Sequence, residues 1–81
     1  MRTGVIVRVF ADRSYGFVVD EEDGSEHFFH RSDWIDTGEP VRNTKVFFEL
    51  GKYRGRNKAT NLRRFSVDAL NLVGVSSERA N

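Results

Sequence analysis

The chain has no cysteine, a single proline and no long apolar run. Without cysteine, neither disulfides nor thiolate-bound metal ions can stabilise the fold, which fits a reducing, intracellular setting. A membrane-spanning helix needs roughly 20 consecutive apolar residues, so none is predicted. The sequence enters a strand pattern directly after Met1, so no signal peptide is predicted either. We therefore expect a cytoplasmic protein.

Strong helical periodicity is also missing, and 81 residues make one small domain. A core of this size is marginal, which favours a closed or nearly closed sheet. Short, turn-like stretches separate five segments with strand character. These segments are 3–11, 15–20, 26–31, 44–50 and 58–65. The pattern predicts a small all-β barrel.

The first of these segments has apolar residues on both faces. Strict alternation along a strand predicts two sets of side chains, one on each face. The sets are Val5, Val7 and Val9 on one face, and Ile6, Arg8 and Phe10 on the other.

The second and third segments are typical of a hairpin. Pairing Phe17 with Phe28 leaves a four-residue turn that ends in glycine, which is a common hairpin connection. Antiparallel partners keep a constant sum of residue numbers, so Tyr15 then pairs with His30. A one-residue slip would instead place Tyr15 and Phe17 on the same face as His27 and Phe29. We prefer the first register because it places Val18 and Phe29 together on the opposite face, which makes the more apolar core face.

This register gathers Tyr15, Phe17, Phe28 and His30 into one aromatic patch. One interpretation is that the patch is simply core. The other is a stacking platform for unpaired bases, worth about 1–3 kcal/mol per stacked base. The second is favoured because Val18 and Phe29 already supply a core face.

The segment 32–43 is predicted to be a loop, with one short helical turn capped by Ser32. Gly38-Glu39-Pro40 breaks regular structure. Trp34 either stacks a base or closes one end of the barrel, and we favour closure. Segment 51–57, with two glycines and three basic residues, is predicted to be a basic loop.

Charge is unevenly distributed, although the formal net charge is only +1. Residues 20–39 contain eight acidic residues and one basic residue, whereas residues 42–64 contain eight basic residues and one acidic residue. One interpretation is that these charges only keep loops soluble. The other is a face suited to a polyanion.

Four motifs in order resemble those of the cold-shock domain, a five-stranded oligonucleotide-binding-fold barrel. The family motif Lys-Gly-Phe-Gly-Phe is matched by RSYGF (13–17), and Val-Phe-Val-His is matched by HFFH (27–30). Val-x-Phe-Glu is matched by VFFE (46–49), and the region with Gly, basic residues and Ala-x-Asn-Val is matched by GRNKATNL (55–62). The resemblance covers residues 1–65 and implies a five-stranded antiparallel barrel, with 66–81 as a short C-terminal extension.

The resemblance implies binding of single-stranded RNA or DNA, by an RNA chaperone or by a regulator of transcription or translation. Two departures weaken the stacking surface. The family's first-strand Trp is replaced by Val9, and Arg31 follows the His where an aromatic residue is usual. We therefore expect a larger ionic share of the binding. The predicted contact residues are Arg8, Arg13, Tyr15, Phe17, Phe28, His30, Arg31, Lys52, Arg54, Arg56 and Lys58.

Two other classes of function compete with this one. A protein-interaction module that retains the fold with weak nucleic-acid binding is the main alternative, and its interface is either the barrel edge or residues 66–81, through which a homodimer or another protein would assemble. An enzyme is not predicted, and neither are catalytic residues, a cofactor or a metal. His27 and His30 have metal-like spacing, but alternation places them on opposite faces of a strand.

Overall fold

The computed structural model describes residues 1–66, and the predicted extension lies almost wholly outside them. Two short 3-10 turns, Ala11–Arg13 and Arg31–Asp33, accompany five strands. No helix among residues 1–66 is long and apolar enough to cross a membrane. The strands are β1 (Arg2–Phe10), β2 (Tyr15–Asp20), β3 (Glu26–His30), β4 (Lys45–Tyr53) and β5 (Arg56–Arg64).

The strands close into a barrel in the order β1-β2-β3-β5-β4. Four of the neighbouring pairs are antiparallel, but β3 and β5 are parallel, with Phe28 beside Lys58. The prediction of a purely antiparallel barrel was therefore wrong. An odd number of strands cannot alternate in direction all the way round a closed ring, so one neighbouring pair has to be parallel.

The β2–β3 hairpin has the predicted register, with Tyr15 opposite His30 and Phe17 opposite Phe28. Val18 and Phe29 are buried on the inner face, as predicted. A closed barrel has only one interior, so the other face of this hairpin is left on the outside. The core contains Ile6, Val18, Phe29, Trp34, Val46, Phe48, Ala59 and Leu62.

A β-bulge in β1 changes the faces predicted for that strand. The pairing shifts between Ile6 and Arg8, which leaves Val7 as the extra residue. Ile6 is therefore fully buried in the core, whereas Phe10 lies opposite Tyr15 on the outer face. Strict alternation had placed Ile6 and Phe10 together, which was wrong because alternation does not continue through a bulge.

The β4–β5 hairpin is longer than predicted. Tyr53 pairs with Arg56, so the connection is only Arg54-Gly55 instead of a seven-residue loop. Both turn residues have positive φ, 54° and 80°. Two such residues in succession are the signature of a type I′ turn, whose twist matches that of the flanking strands. The basic residues of this segment are thus held on a β-ribbon.

Trp34 closes one end of the barrel, as favoured from the sequence. Its ring is 4% exposed, and its Nε1–H donates a hydrogen bond to the Gly38 carbonyl at 3.0 Å. The predicted helical turn is present as Arg31–Asp33, but its N-cap is His30 and not Ser32. The His30 Nδ1 atom accepts a hydrogen bond from the Ser32 N–H at 3.1 Å. The cap lies two residues earlier because β3 ends at His30.

Candidate nucleic-acid interface

Four aromatic rings form a continuous row across the outside of the barrel, which we call the aromatic strip: Phe10, Tyr15, Phe28 and Tyr53. The centroids of successive rings are 5.1, 5.6 and 6.0 Å apart. The angles between successive ring planes are 31°, 35° and 24°. Successive rings of the strip are thus inclined to one another by at most 35°, and the four rings come from four different strands.

Phe17 lies against this row edge-on. Its ring plane makes angles of 89°, 79° and 72° with those of Phe10, Tyr15 and Phe28. Edge-to-face contacts of this kind are favourable because the ring edge is positive and the ring face negative. Phe17 thus supports the rings of the strip in position.

The strip is not part of the core, although three of its rings and Phe17 are half-buried by one another. Tyr53, at the hairpin end, is 49% exposed. The interior is filled from the opposite face by residues such as Val18 and Phe29. The interpretation of the aromatic cluster as simple core is thereby excluded for these rings.

Gly16, which lies between Tyr15 and Phe17 on β2, allows this strand to pack closely against β1 and against the Phe29 ring. A Cβ atom at this position would lie 2.5 Å from the Arg8 carbonyl oxygen and 2.8 Å from Cζ of Phe29. Both neighbours are fixed, one as backbone and the other as a buried ring. The glycine between the two aromatic residues is therefore required by packing.

A groove of about 520 Å³ borders the Tyr53 end of the strip, at the β4–β5 hairpin. Its aromatic lining comes from Phe17, Phe28 and Tyr53. Its polar lining consists of Arg54, Arg56, Asn57 and Lys58.

Two further contacts place positive charge against Tyr53. The Arg54 guanidinium lies 5.3 Å from the Tyr53 ring centroid, and the Lys58 ammonium lies 5.6 Å from it. Rings beside positive charge suit a ligand that alternates flat bases with phosphates.

The predicted cations divide into two groups. Three of them are held by carboxylates: Arg8 by Glu26, Arg31 by Glu39 and Lys58 by Asp33. The others form no ion pair within residues 1–66; these are Arg13, Lys52, Arg54 and Arg56. This division could not be predicted from the sequence, because the pairing depends on which strands become neighbours.

Arg8 is held directly over the strip's supporting ring. Its guanidinium lies 4.5 Å from the Phe17 centroid, and its Nη2 donates to the Glu26 carboxylate. Glu26 shares the outer face of β3 with Phe28, two residues along the strand. A negative charge therefore lies on the same face as the rings and competes with phosphate for Arg8.

Asp33 ties the end of β3 to β5 beneath the strip. Its Oδ2 atom accepts from the His30 N–H at 2.9 Å and lies 2.8 Å from the Lys58 Nζ. The side chains of Lys58 and Asp33 are only 17% and 11% exposed. Lys58 is therefore a structural residue at the parallel junction, and its charge is already balanced.

The two histidines lie on opposite faces of β3, as predicted. His27 is buried and packs 6.1 Å from the Phe48 ring, whereas His30 is exposed beside the strip. The two side chains therefore cannot bind one metal ion together.

Arg31 and Glu39 form a two-point ion pair at the other end of the strip. Arg31 Nε lies 2.7 Å from Glu39 Oε1, and Arg31 Nη2 lies 3.1 Å from Glu39 Oε2. The hydrogen bond from Arg31, helped by its charge, lowers the pKa of Glu39. Glu39 is therefore ionised at neutral pH and acts only as an acceptor.

Two members of the strip were not among the residues predicted from the sequence. Phe10 was missed because the bulge was not recognised, and Tyr53 because its segment was interpreted as a loop. The sequence did contain a signal for Tyr53: Arg54-Gly55 between two alternating segments resembles the Asn-Gly type of tight turn.

Comparison with known proteins identifies the fold. No protein-family model matches the chain, and no curated protein matches it. The solved structure of Drosophila Unr CSD456, which contains cold-shock domains, superimposes with a TM-score of 0.69 at 24% sequence identity. The match covers 80% of this chain but only 26% of that one. The chain therefore has the fold of a cold-shock domain, the small barrel to which its four motifs point.

Proposed function

We propose that this domain binds single-stranded nucleic acid without catalysis, by stacking unpaired bases on the aromatic strip. The observation that carries the proposal is the row of rings from Phe10 to Tyr53 on the outside of the barrel. A row of aromatic rings on the outside of a barrel favours aggregation unless a ligand or partner covers it. Bases suit this surface because each has two flat faces, whatever its sequence.

The phosphates are expected to follow the β4–β5 hairpin. Lys52, Arg54 and Arg56 have no acidic partner within residues 1–66. Arg54 and Arg56 line the groove beside Tyr53, and Lys52 precedes Tyr53 on β4. Cations that are already paired contribute less, because a phosphate has to replace a carboxylate. We therefore assign the main ionic share of binding to this hairpin, and we expect the paired Arg8, Arg31 and Lys58 to contribute less to phosphate binding.

The match to a cold-shock domain structure supports nucleic acid as the general class of partner. An RNA chaperone or a regulator of transcription or translation, acting in the cytoplasm, remains a prediction from the sequence resemblance.

A protein-interaction module is the second candidate, and one observation favours it. Glu26 lies on the face of the strip and neutralises Arg8 there, which disfavours a polyanion. An affinity for homopolymer oligonucleotides weaker than about 100 μM, no better than non-specific phosphate binding, would favour this candidate.

The proposal is tested by mapping backbone amide chemical shifts of the ¹⁵N-labelled protein during titration with oligo-dT of about seven nucleotides. We expect the largest changes near Phe10, Tyr15, Phe28 and Tyr53. The amide of Phe47, whose ring packs on Phe65 at 4.9 Å outside the strip, should move little. Changes centred on Phe47, or none at all, would contradict the proposal.

A further inference from the structure

A second concave feature, which we call the side slot, opens at the β1 end of the aromatic strip. Its volume is about 280 Å³. Phe10 and Tyr15 belong both to the strip and to the lining of the slot, so the two are continuous. Half-buried Val9 contributes further apolar surface, and the buried Phe29 ring borders the slot. A strand lying on the strip would thus bring one of its end bases to the slot.

Val9 is a small residue in the lining of the side slot. The resemblance described above places a tryptophan of the family at this position. Val9 instead packs partly against the core, opposite Gly16, and fills much less space than an indole ring would. Space that a large side chain of the protein would occupy is therefore open to a flat ligand group.

The polar part of the slot is the Arg31–Glu39 pair. Arg31 has five N–H donors. Its Nε and Nη2 donate to Glu39, and Nη2 also donates to the Gly38 carbonyl at 3.5 Å. Nη1 has no hydrogen bond to a residue in the described part of the chain. The Glu39 side chain is 72% exposed and uses two of about four lone-pair sites. The pair thus offers free donors beside a free, ionised acceptor.

We propose that the side slot binds one guanine base of the single strand, an inference that rests on the proposed function. Guanine has two adjacent donors, N1–H and the N2 amino group, next to the acceptor O6. The donors match the Glu39 carboxylate, and O6 matches the free Nη1 donors of Arg31. Adenine, cytosine and thymine each offer one donor on the corresponding edge, with an acceptor next to it that the carboxylate would repel.

The test uses oligo-dT of about seven nucleotides in which a single guanine, or a single adenine, is moved through every position. Binding is measured by fluorescence anisotropy of the labelled oligonucleotides. At one terminal or near-terminal position we expect guanine to bind at least about fivefold more tightly than thymine or adenine, as for one good two-point base contact.

Two variants connect this preference to the slot. Glu39→Gln should reduce the ratio of guanine to thymine affinity at that position to near one. Val9→Trp should also reduce the ratio by filling the slot, while its affinity for plain oligo-dT should not fall; circular dichroism checks that this variant folds, because Val9 packs against the core. The matched control is Glu49→Gln, an exposed glutamate that bonds to Asn61 outside the slot, which should keep the ratio unchanged.

The outcomes separate this inference from the proposed function. Tight binding of oligo-dT with no guanine preference at any position overturns the side slot and leaves the strip intact. An equal preference for adenine and guanine overturns the assignment of guanine. A preference that persists in Glu39→Gln overturns the role of the ion pair. Failure of every oligonucleotide to bind overturns the proposed function and the slot with it.

Discussion

Replacing both Phe17 and Phe28 with alanine is expected to lower the affinity for a short unpaired oligonucleotide by at least about tenfold. Phe28 is a central ring of the aromatic strip, in contact with Tyr15 and Tyr53. Phe17 supports the row from its edge. Stacking is worth about 1–3 kcal/mol per base, so removing one platform ring and its support costs at least one stacked base.

The double variant should remain folded, because both side chains lie outside the core. Thermal unfolding followed by circular dichroism checks this. Phe65→Ala is the matched control: it removes an aromatic ring that packs on Phe47, away from the strip. Its affinity should equal that of the wild type. Unchanged binding by a folded double variant would show that the strip is not where bases stack.

Glu26→Gln is expected to strengthen binding by about fivefold at low salt. The substitution removes a negative charge from the strip's face and releases Arg8 from its ion pair. An exposed pair of this kind is worth up to about 1 kcal/mol, so little is lost when it is broken. The freed guanidinium can then bind a phosphate, which should steepen the salt dependence by about 0.7 in log K against log salt.

Glu21→Gln is the control for net charge. Glu21 is as exposed as Glu26, 39% for both side chains, and also pairs with one cation, Lys45. It follows Asp20, which pairs with Gly4 at the opposite end of the β1–β2 ladder from Phe10. An equal gain in affinity in both variants would show that the effect comes only from the change in overall charge. Weaker binding in Glu26→Gln would mean that the ion pair is needed to hold Arg8 over Phe17.

The β2–β3 hairpin could be predicted from the sequence because its information is local. The turn length and the apolar character of Val18 and Phe29 together select one register, and the structure has that register. The face of Tyr15 and Phe17 then follows from alternation alone. Two of the four rings of the aromatic strip, Tyr15 and Phe28, could therefore be predicted from the sequence.

The rest depends on contacts between distant segments. The bulge that turns Phe10 outward is set by how β1 closes the barrel on β2 and β4. The parallel β3–β5 pair follows from closure with five strands, and it brings Lys58 to Asp33. No pattern within a single segment contains this information, so the division between paired and unpaired cations could not be predicted.

The most direct test of the central claim is the salt dependence of wild-type binding to oligo-dT and oligo-U of about seven nucleotides. The oligonucleotides must carry the fluorescent label, because Trp34 is buried and does not report on the strip. Stacking on the strip predicts micromolar or tighter binding that persists between about 50 and 200 mM salt, with a log–log slope of about −2 for three phosphate contacts. Binding that appears only at low salt, with a much steeper slope, would contradict it.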